Sequence, residues 1–272
     1  MRLMKTAGSQ ETAKSAIRFS QQSAGDFSLG IITLDNPRAL NALDLEMLRA
    51  VADKLLEWRD QRSIACIVLH AESEKAFSAG GDVKSLMAAL KRDGAMPVAL
   101  EYFTTEYFAD YLIHIYPKPI LCWADGIVMG GGIGIMNGAS YRVVTERSIL
   151  AMPEITIGLY PDVGATYFLN RAPSGIGLFL GLTGARFNGH DAVAIGMADG
   201  LIPSQKILHG AAWPLVFSTR AGLPAATDRS GRSLTTTLPA PTTHCRPTFA
   251  ITRAPFPIHV SQPIWIRLNS PR

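Results

Sequence analysis

Two glycine-rich turns, Ala79-Gly80-Gly81-Asp82 and Met129-Gly130-Gly131-Gly132, constrain this chain more than any other feature of its sequence. They lie about fifty residues apart, and each stands between an apolar, strand-like run and a segment with helical periodicity. Glycine lets backbone approach another group with no Cβ in the way, and a helix N-terminus leaves N–H groups unpaired with a partial positive charge. One donor from each turn can converge on a single carbonyl oxygen and stabilise the charge it gains during reaction, which points to carbonyl or thioester chemistry. One such turn alone would be structural, because any α/β protein places glycine where strands run into helices. The pair gains weight from Ala151 to Gly164, where Glu154 and Asp162 stand eight residues apart in an otherwise apolar stretch. A carboxylate in such surroundings is costly unless it is paired or used.

The rest of the body alternates strands with helices, an α/β pattern. Strands are expected at 15–20 and 28–34, joined through Ala24-Gly25-Asp26, and at 64–69, 120–123, 141–145 and 148–151. Leu43, Met47, Leu48, Val51, Leu55 and Trp58 recur at helical spacing and predict a helix over 42–59. Further helices are expected at 82–90, 98–115 (aromatic-rich, ended before Pro117), 131–137, 163–169, 175–182 and 190–197.

At 272 residues and 47% hydrophobic, the chain is long enough to bury an enzyme-sized core. No run of eighteen apolar residues is present and the first residues lack the apolar stretch of a signal peptide, so neither membrane insertion nor secretion is expected. Cys66, Cys122 and Cys245 are far apart and show no metal-ligand spacing, which argues against a disulfide framework and a zinc site and fits a reducing, cytoplasmic location. His70, His114 and His190 are isolated and read as structural, so no metal is expected. The net charge of +4 is not a nucleic-acid signature, because residues 207–272 hold seven arginines against one acid, Asp228, and the remaining body is slightly acidic.

Composition breaks near residue 206. Beyond it there is no lysine or glutamate, nine of the seventeen prolines occur, and no apolar period persists. The organisation expected is a core over 1–206 and an irregular tail over 207–272, with prolines that forbid long helices and central strands. The tail reads either as a proline-rich interaction segment or as the product of an out-of-frame reading.

Several motifs carry a resemblance. Leu34-Asp35-Asn36-Pro37-Arg38-Ala39-Leu40-Asn41-Ala42-Leu43, Ala76-Phe77-Ser78-Ala79-Gly80-Gly81-Asp82-Val83-Lys84 and Asp125-Gly126-Ile127-Val128-Met129-Gly130-Gly131-Gly132 resemble the crotonase (enoyl-CoA hydratase/isomerase) superfamily over residues 31–204. Thr105-Glu106-Tyr107, Gly132-Ile133-Gly134, Met152-Pro153-Glu154 and Tyr160-Pro161-Asp162-Val163-Gly164 are most similar to its 3-hydroxyisobutyryl-CoA hydrolase group. The resemblance implies a spiral of ββα repeats, a homotrimer, an acyl-CoA substrate and no cofactor beyond the CoA of that substrate. It implies that the Gly81 and Gly131 amides form an oxyanion hole, with Glu154 as base or nucleophile and Asp162 as its acidic partner. Glu106 would orient substrate, or is a solvated helix acid. Ala79, Asp82 and Val83 match positions that hold CoA through backbone. Arg38 and Ala39 match a loop near its pantetheine and phosphates, although Arg38 reads equally as a surface charge.

Gly134 departs from the hydratases, which carry there a second glutamate that positions water, so hydration is disfavoured. The implied reaction is hydrolysis of a short branched 3-hydroxyacyl-CoA thioester in valine catabolism. The alternatives are an isomerase or hydratase of the same superfamily, or a truncated CoA-binding remnant without activity. Neither nucleic acid nor membrane is expected as a partner.

Overall fold

The computed structural model describes residues 16–24, 27–93 and 95–206. The tail expected at 207–272, and Cys245 within it, lie outside the described residues. The chain opens with an antiparallel pair, β1 (Ile17–Ala24) and β2 (Phe27–Leu34), in register from Ile17↔Leu34 to Ala24↔Phe27. A 3-10 turn at Pro37–Ala39 leads to α1 (Leu45–Arg59). This helix starts three residues later than its apolar spacing suggests, because Leu40 and Asn41 take φ of 52° and 54°. Asp44 caps it instead, its carboxylate accepting from the Met47 N–H at 2.8 Å.

Three ββα units follow. The first is β3 (Ile64–Ala71), β4 (Ala76–Ser78), α2 (Val83–Asp93) and α3 (Ala95–His114). The second is β5 (Ile120–Ala124), β6 (Ile127–Met129) and α4 (Gly131–Gly138). The third is β7 (Tyr141–Val144) and β8 (Ile149–Ala151), then a 3-10 turn at Glu154–Ile157, α5 (Ala165–Phe168) and α6 (Ile176–Thr183). Last come β9 (Phe187–Asn188), α7 (Gly189–Ala194) and β10 (Gly200–Leu201).

Each unit gives its first strand to a six-stranded sheet, β1-β2-β3-β5-β7-β10, parallel from β2 onward. The second strands form a separate sheet, β4-β6-β8-β9, parallel except at β9. This is the expected spiral. The strands β4 and β6, of three residues each, escape a reading by periodicity because they are too short to display one.

The central strands of the large sheet are buried on both faces, which is why they read as continuous apolar runs. Ile32, Leu34, Ile67, Leu69 and Ile120 join the main core, where Met47, Leu48, Val51, Leu55 and Trp58 of α1 also lie. Leu29, Ile31, Cys66, Val68, Leu121, Trp123 and Val143 form a second cluster. Cys66 and Cys122 are free, buried thiols.

Trp58 ties α1 to the sheet. A methyl group on Gly30 would lie 2.7 Å from its ring, and Phe19 meets it edge-on with centroids 6.1 Å apart. Lys118 Nζ donates to the Trp58 and Gln61 carbonyls at 2.5 and 2.6 Å, closing the C-terminal end of the helix. Replacement of Trp58 by alanine is expected to cost about 3–5 kcal/mol of stability, read as a lowered urea midpoint at unchanged m-value.

Candidate active site

The strands β4, β6 and β8 are parallel neighbours, so the residues that follow them emerge side by side at one edge of the small sheet. These residues are Gly80-Gly81, Gly130-Gly131 and Pro153-Glu154. Convergence of segments roughly 25 to 75 residues apart in sequence is therefore a property of strand pairing. Gly130 has φ 50° and ψ −121°, a conformation open only to glycine, and its N–H donates to the Ala151 carbonyl at 3.1 Å.

The two turns touch. A methyl group on Gly80 would lie 2.9 Å from the Met129 carbonyl oxygen and 3.5 Å from the Gly131 nitrogen, and one on Gly131 would lie 3.4 Å from the Gly81 nitrogen. Among the described residues neither the Gly81 nor the Gly131 N–H donates a hydrogen bond. Gly131 opens α4, where the helix field favours an anion. Two amides so placed can hold one oxygen between them.

Acids surround this pair. Glu106 Oε1 of α3 lies 2.6 Å from the methyl position of Gly131 and 3.6 Å from that of Gly81, and Glu154 Oε1 lies 2.8 Å from that of Gly130. Their residues are only 3% and 7% exposed, so Glu106 is no solvated helix acid. Glu154 sits on the 3-10 turn after β8, and its Oε2 has no hydrogen-bond partner among the described residues. Burial pushes the Glu154 carboxyl up to about 7, with the charge of Asp162 adding to the effect. Burial, then repulsion from Asp162 and Glu154, pushes Glu106 up to about 8. Asp162 is raised by burial, against the opposing hydrogen bond from Tyr107, whose hydroxyl donates to Asp162 Oδ2 at 2.6 Å.

The expected CoA-binding residues lie around the first turn. Ala79 N–H donates to Leu40 O at 2.9 Å, Leu43 N–H to Gly80 O and Asp82 N–H to Leu43 O at 2.8 Å each, which binds the loop holding Arg38 and Ala39 to that turn. The Asp82 carboxylate accepts from the Ser85 N–H and hydroxyl at 3.0 and 2.6 Å, so it serves the start of α2. Val83 and Arg38 have exposed side chains. Among the described residues none of these five hydrogen-bonds a carboxyl of the acid cluster.

Three participants carry no role in the sequence reading. Tyr107 was visible only as part of a motif. Tyr102 donates to the Leu43 carbonyl at 2.8 Å and lies 2.6 Å from the methyl position of Gly81. Asp110 is buried one turn beyond Glu106. The spacing 102, 106, 110 within an aromatic helix was the available signal, a polar stripe on one face. Val163 is a further surprise, since a β-branched residue at φ 44° is a strained arrangement. Its Cβ lies 2.6 Å from the methyl position of Gly134, so Gly134 makes room for the residue that follows Asp162.

Residues 29–213 match the enoyl-CoA hydratase/isomerase family, and the chain belongs to it. It is 41% identical over 178 residues to the mitochondrial 3-hydroxyisobutyryl-CoA hydrolase of Danio rerio, a match covering 65% of this chain and 46% of that protein. It is also 40% identical over 199 residues to the small ribosomal subunit protein mS47 of Neurospora crassa, covering 72% of this chain and 38% of that one. Among solved structures, a carnitinyl-CoA dehydratase from Mycobacterium thermoresistibile superposes with a TM-score of 0.64 at 41% identity, covering 70% of this chain and 54% of the other. The chain spans about half the length of the curated relatives it matches. The cytoplasmic location expected from the cysteines is overturned by the mitochondrial hydrolases among these relatives. Unpaired thiols report a reducing compartment without saying which one.

A glutamic acid kept protonated by burial stabilises the fold fully below its unfolded value, and that contribution is lost as pH rises toward its folded value. For Glu106 the window runs from 4.5 to about 8. Glu106→Gln does not titrate, so its melting temperature is expected to gain on that of the wild type steadily across this window, by about 2–4 °C for each kcal/mol involved. A gap that stays constant with pH in differential scanning calorimetry would mean that Glu106 is ionised in the folded protein.

Proposed function

We propose that the chain hydrolyses a short, branched 3-hydroxyacyl-CoA thioester of the 3-hydroxyisobutyryl-CoA kind, a step of valine breakdown, in the mitochondrial setting its relatives' names give. The observation that carries the proposal is Glu154: a buried acid with one oxygen unpartnered among the described residues, beside two abutting turns whose Gly81 and Gly131 amides are uncommitted there.

In this reading the thioester carbonyl oxygen sits between the two amides, which oppose the charge it gains when the carbonyl carbon is attacked. Glu154, poised near neutrality, either removes a proton from the attacking water or attacks the carbonyl itself. Asp162, held by Tyr107, is placed to manage the proton that reaches the departing thiolate. Water is consumed, and a carboxylic acid and free CoA leave. Glu106 fixes the acyl group beside the amides. Ala79, Asp82 and Val83 are proposed to hold the CoA moiety through backbone, with Arg38 and Ala39 near its phosphates, and a trimer is the assembly proposed.

Hydration of a double bond is disfavoured by Gly134. A side chain at that position would run into Val163 before it could reach the reacting carbons, so the second carboxylate of a hydratase has no route in from α4.

Glu154→Gln keeps the shape of the side chain and removes its basicity. Release of free CoA from 3-hydroxyisobutyryl-CoA is expected to fall by about 10²-fold or more. Turnover equal to that of the wild type would end the assignment.

A further inference from the structure

The face of α3 that meets the small sheet and α4 carries three polar residues one turn apart, Tyr102, Glu106 and Asp110. Each lies against a glycine. The Tyr102 hydroxyl is 2.6 Å from the methyl position of Gly81, Glu106 Oε1 is 2.6 Å from that of Gly131, and Asp110 Oδ2 is 3.1 Å from that of Gly134. Further along, a methyl on Gly138 would lie 2.9 Å from Ile113 Cγ2 and 3.3 Å from the Asp110 carbonyl oxygen, so the glycines of α4 let the two helices press together.

The first two polar residues have occupations: Tyr102 donates to Leu43 O, and Glu106 faces the amide pair. Asp110 has none. It is 6% exposed, and neither carboxyl oxygen has a hydrogen-bond partner among the described residues. Among the described residues no ion pair explains it, and the titratable groups acting on it, Glu106 and Asp162, are both acids. Buried polar groups without partners are rare and disfavoured, and each calls for an explanation, a functional role among them.

We propose that Asp110 is the specificity-determining residue that hydrogen-bonds the 3-hydroxyl group of the acyl chain. The proposal rests on the thioesterase reading above. From Gly131 to Gly134 is three residues of helix, about 4.5 Å along the axis. That is comparable to the separation of the carbonyl and 3-hydroxyl oxygens in a short acyl chain whose carbonyl lies at the Gly131 amide. Val163 packs on the same spot, its Cβ 2.6 Å from the methyl position of Gly134. An acid and an isopropyl group side by side suit an acyl end that carries both a hydroxyl and a methyl branch. Burial and the neighbouring acids raise the Asp110 carboxyl well above the usual range, which favours the protonated form, able both to donate to a hydroxyl and to accept from it.

A site built to hydrogen-bond a substrate hydroxyl discriminates strongly against the analogue that lacks it. The test compares 3-hydroxyisobutyryl-CoA with isobutyryl-CoA on the wild type, Asp110→Val and Asp110→Asn. The wild type is expected to favour the hydroxylated thioester by about tenfold or more in kcat/KM. Asp110→Val is expected to bring that ratio to within about twofold of unity, and Asp110→Asn, which retains a donor and an acceptor, to keep most of it. If the valine variant fails to fold, as judged by circular dichroism, Asp110→Leu, which keeps the branched shape of the side chain and likewise lacks donor and acceptor, takes its place, with the same ratio near unity expected and the same unchanged ratio overturning the proposal. An unchanged ratio in the valine variant, or equal loss on both thioesters, overturns the proposal while leaving the thioesterase reading intact. Should the wild type release no CoA from either thioester, the ratio of their dissociation constants replaces that of kcat/KM and decides in the same way. Absence of any binding to either thioester would defeat both readings together.

Discussion

Parallel pairing of β4, β6 and β8 is the constraint on which the rest of the site depends. Each strand has only three residues, yet their common direction delivers two glycine turns and a glutamate to one edge, within van der Waals reach of one another. The large sheet holds the first strand of each unit, and the short connections to the second strands leave the small sheet little freedom. Placement of the two turns and of Glu154 thus comes from backbone hydrogen bonding, and the side chains are added to a fixed frame.

Four carboxyls then share one corner. Glu106 and Asp110 come from α3, Glu154 from the turn after β8, and Asp162 from the loop eight residues later. All four are raised, with burial as the leading cause; repulsion from neighbouring acids adds to it at Glu106, Asp110 and Glu154. Such a cluster opposes folding as it ionises; Asp162 is held by Tyr107, while Glu106 and Asp110 are carried by α3, which packs against the glycines of α4. An environment that keeps an acid near neutrality is also the environment in which it exchanges protons effectively.

Much of this was legible in the sequence. The glycine turns, the apolar runs of β2, β3 and β5, the period of α1 and the two acids of residues 154–162 each carry a local signal of the required length. Of the small sheet only β8 was legible, as the strand expected at 148–151; β4 and β6 are too short to show a period, and the strands they pair with are distant in sequence. Leu40 and Asn41 delayed the start of α1 through a left-handed turn that its apolar spacing conceals. Asp110 escaped notice because a single acid in a helix looks like a solvated one until the neighbouring helix is known. Gly134 was read as the loss of a glutamate, and the structure adds its positive role as the seat of Val163. The compartment was misjudged for a different reason: free cysteines bear on redox state and say little about address.

The central claim is that the Gly81 and Gly131 amides grip one acyl oxygen together. Titration of glycine-15N-labelled protein with a CoA ketone, in which the thioester sulfur is replaced by carbon so that no CoA is released, tests it most directly. If both amides hold the ketone oxygen, the resonances of the two residues move downfield together along one saturation curve. Movement of one without the other, or of neither while the ketone binds, would contradict it.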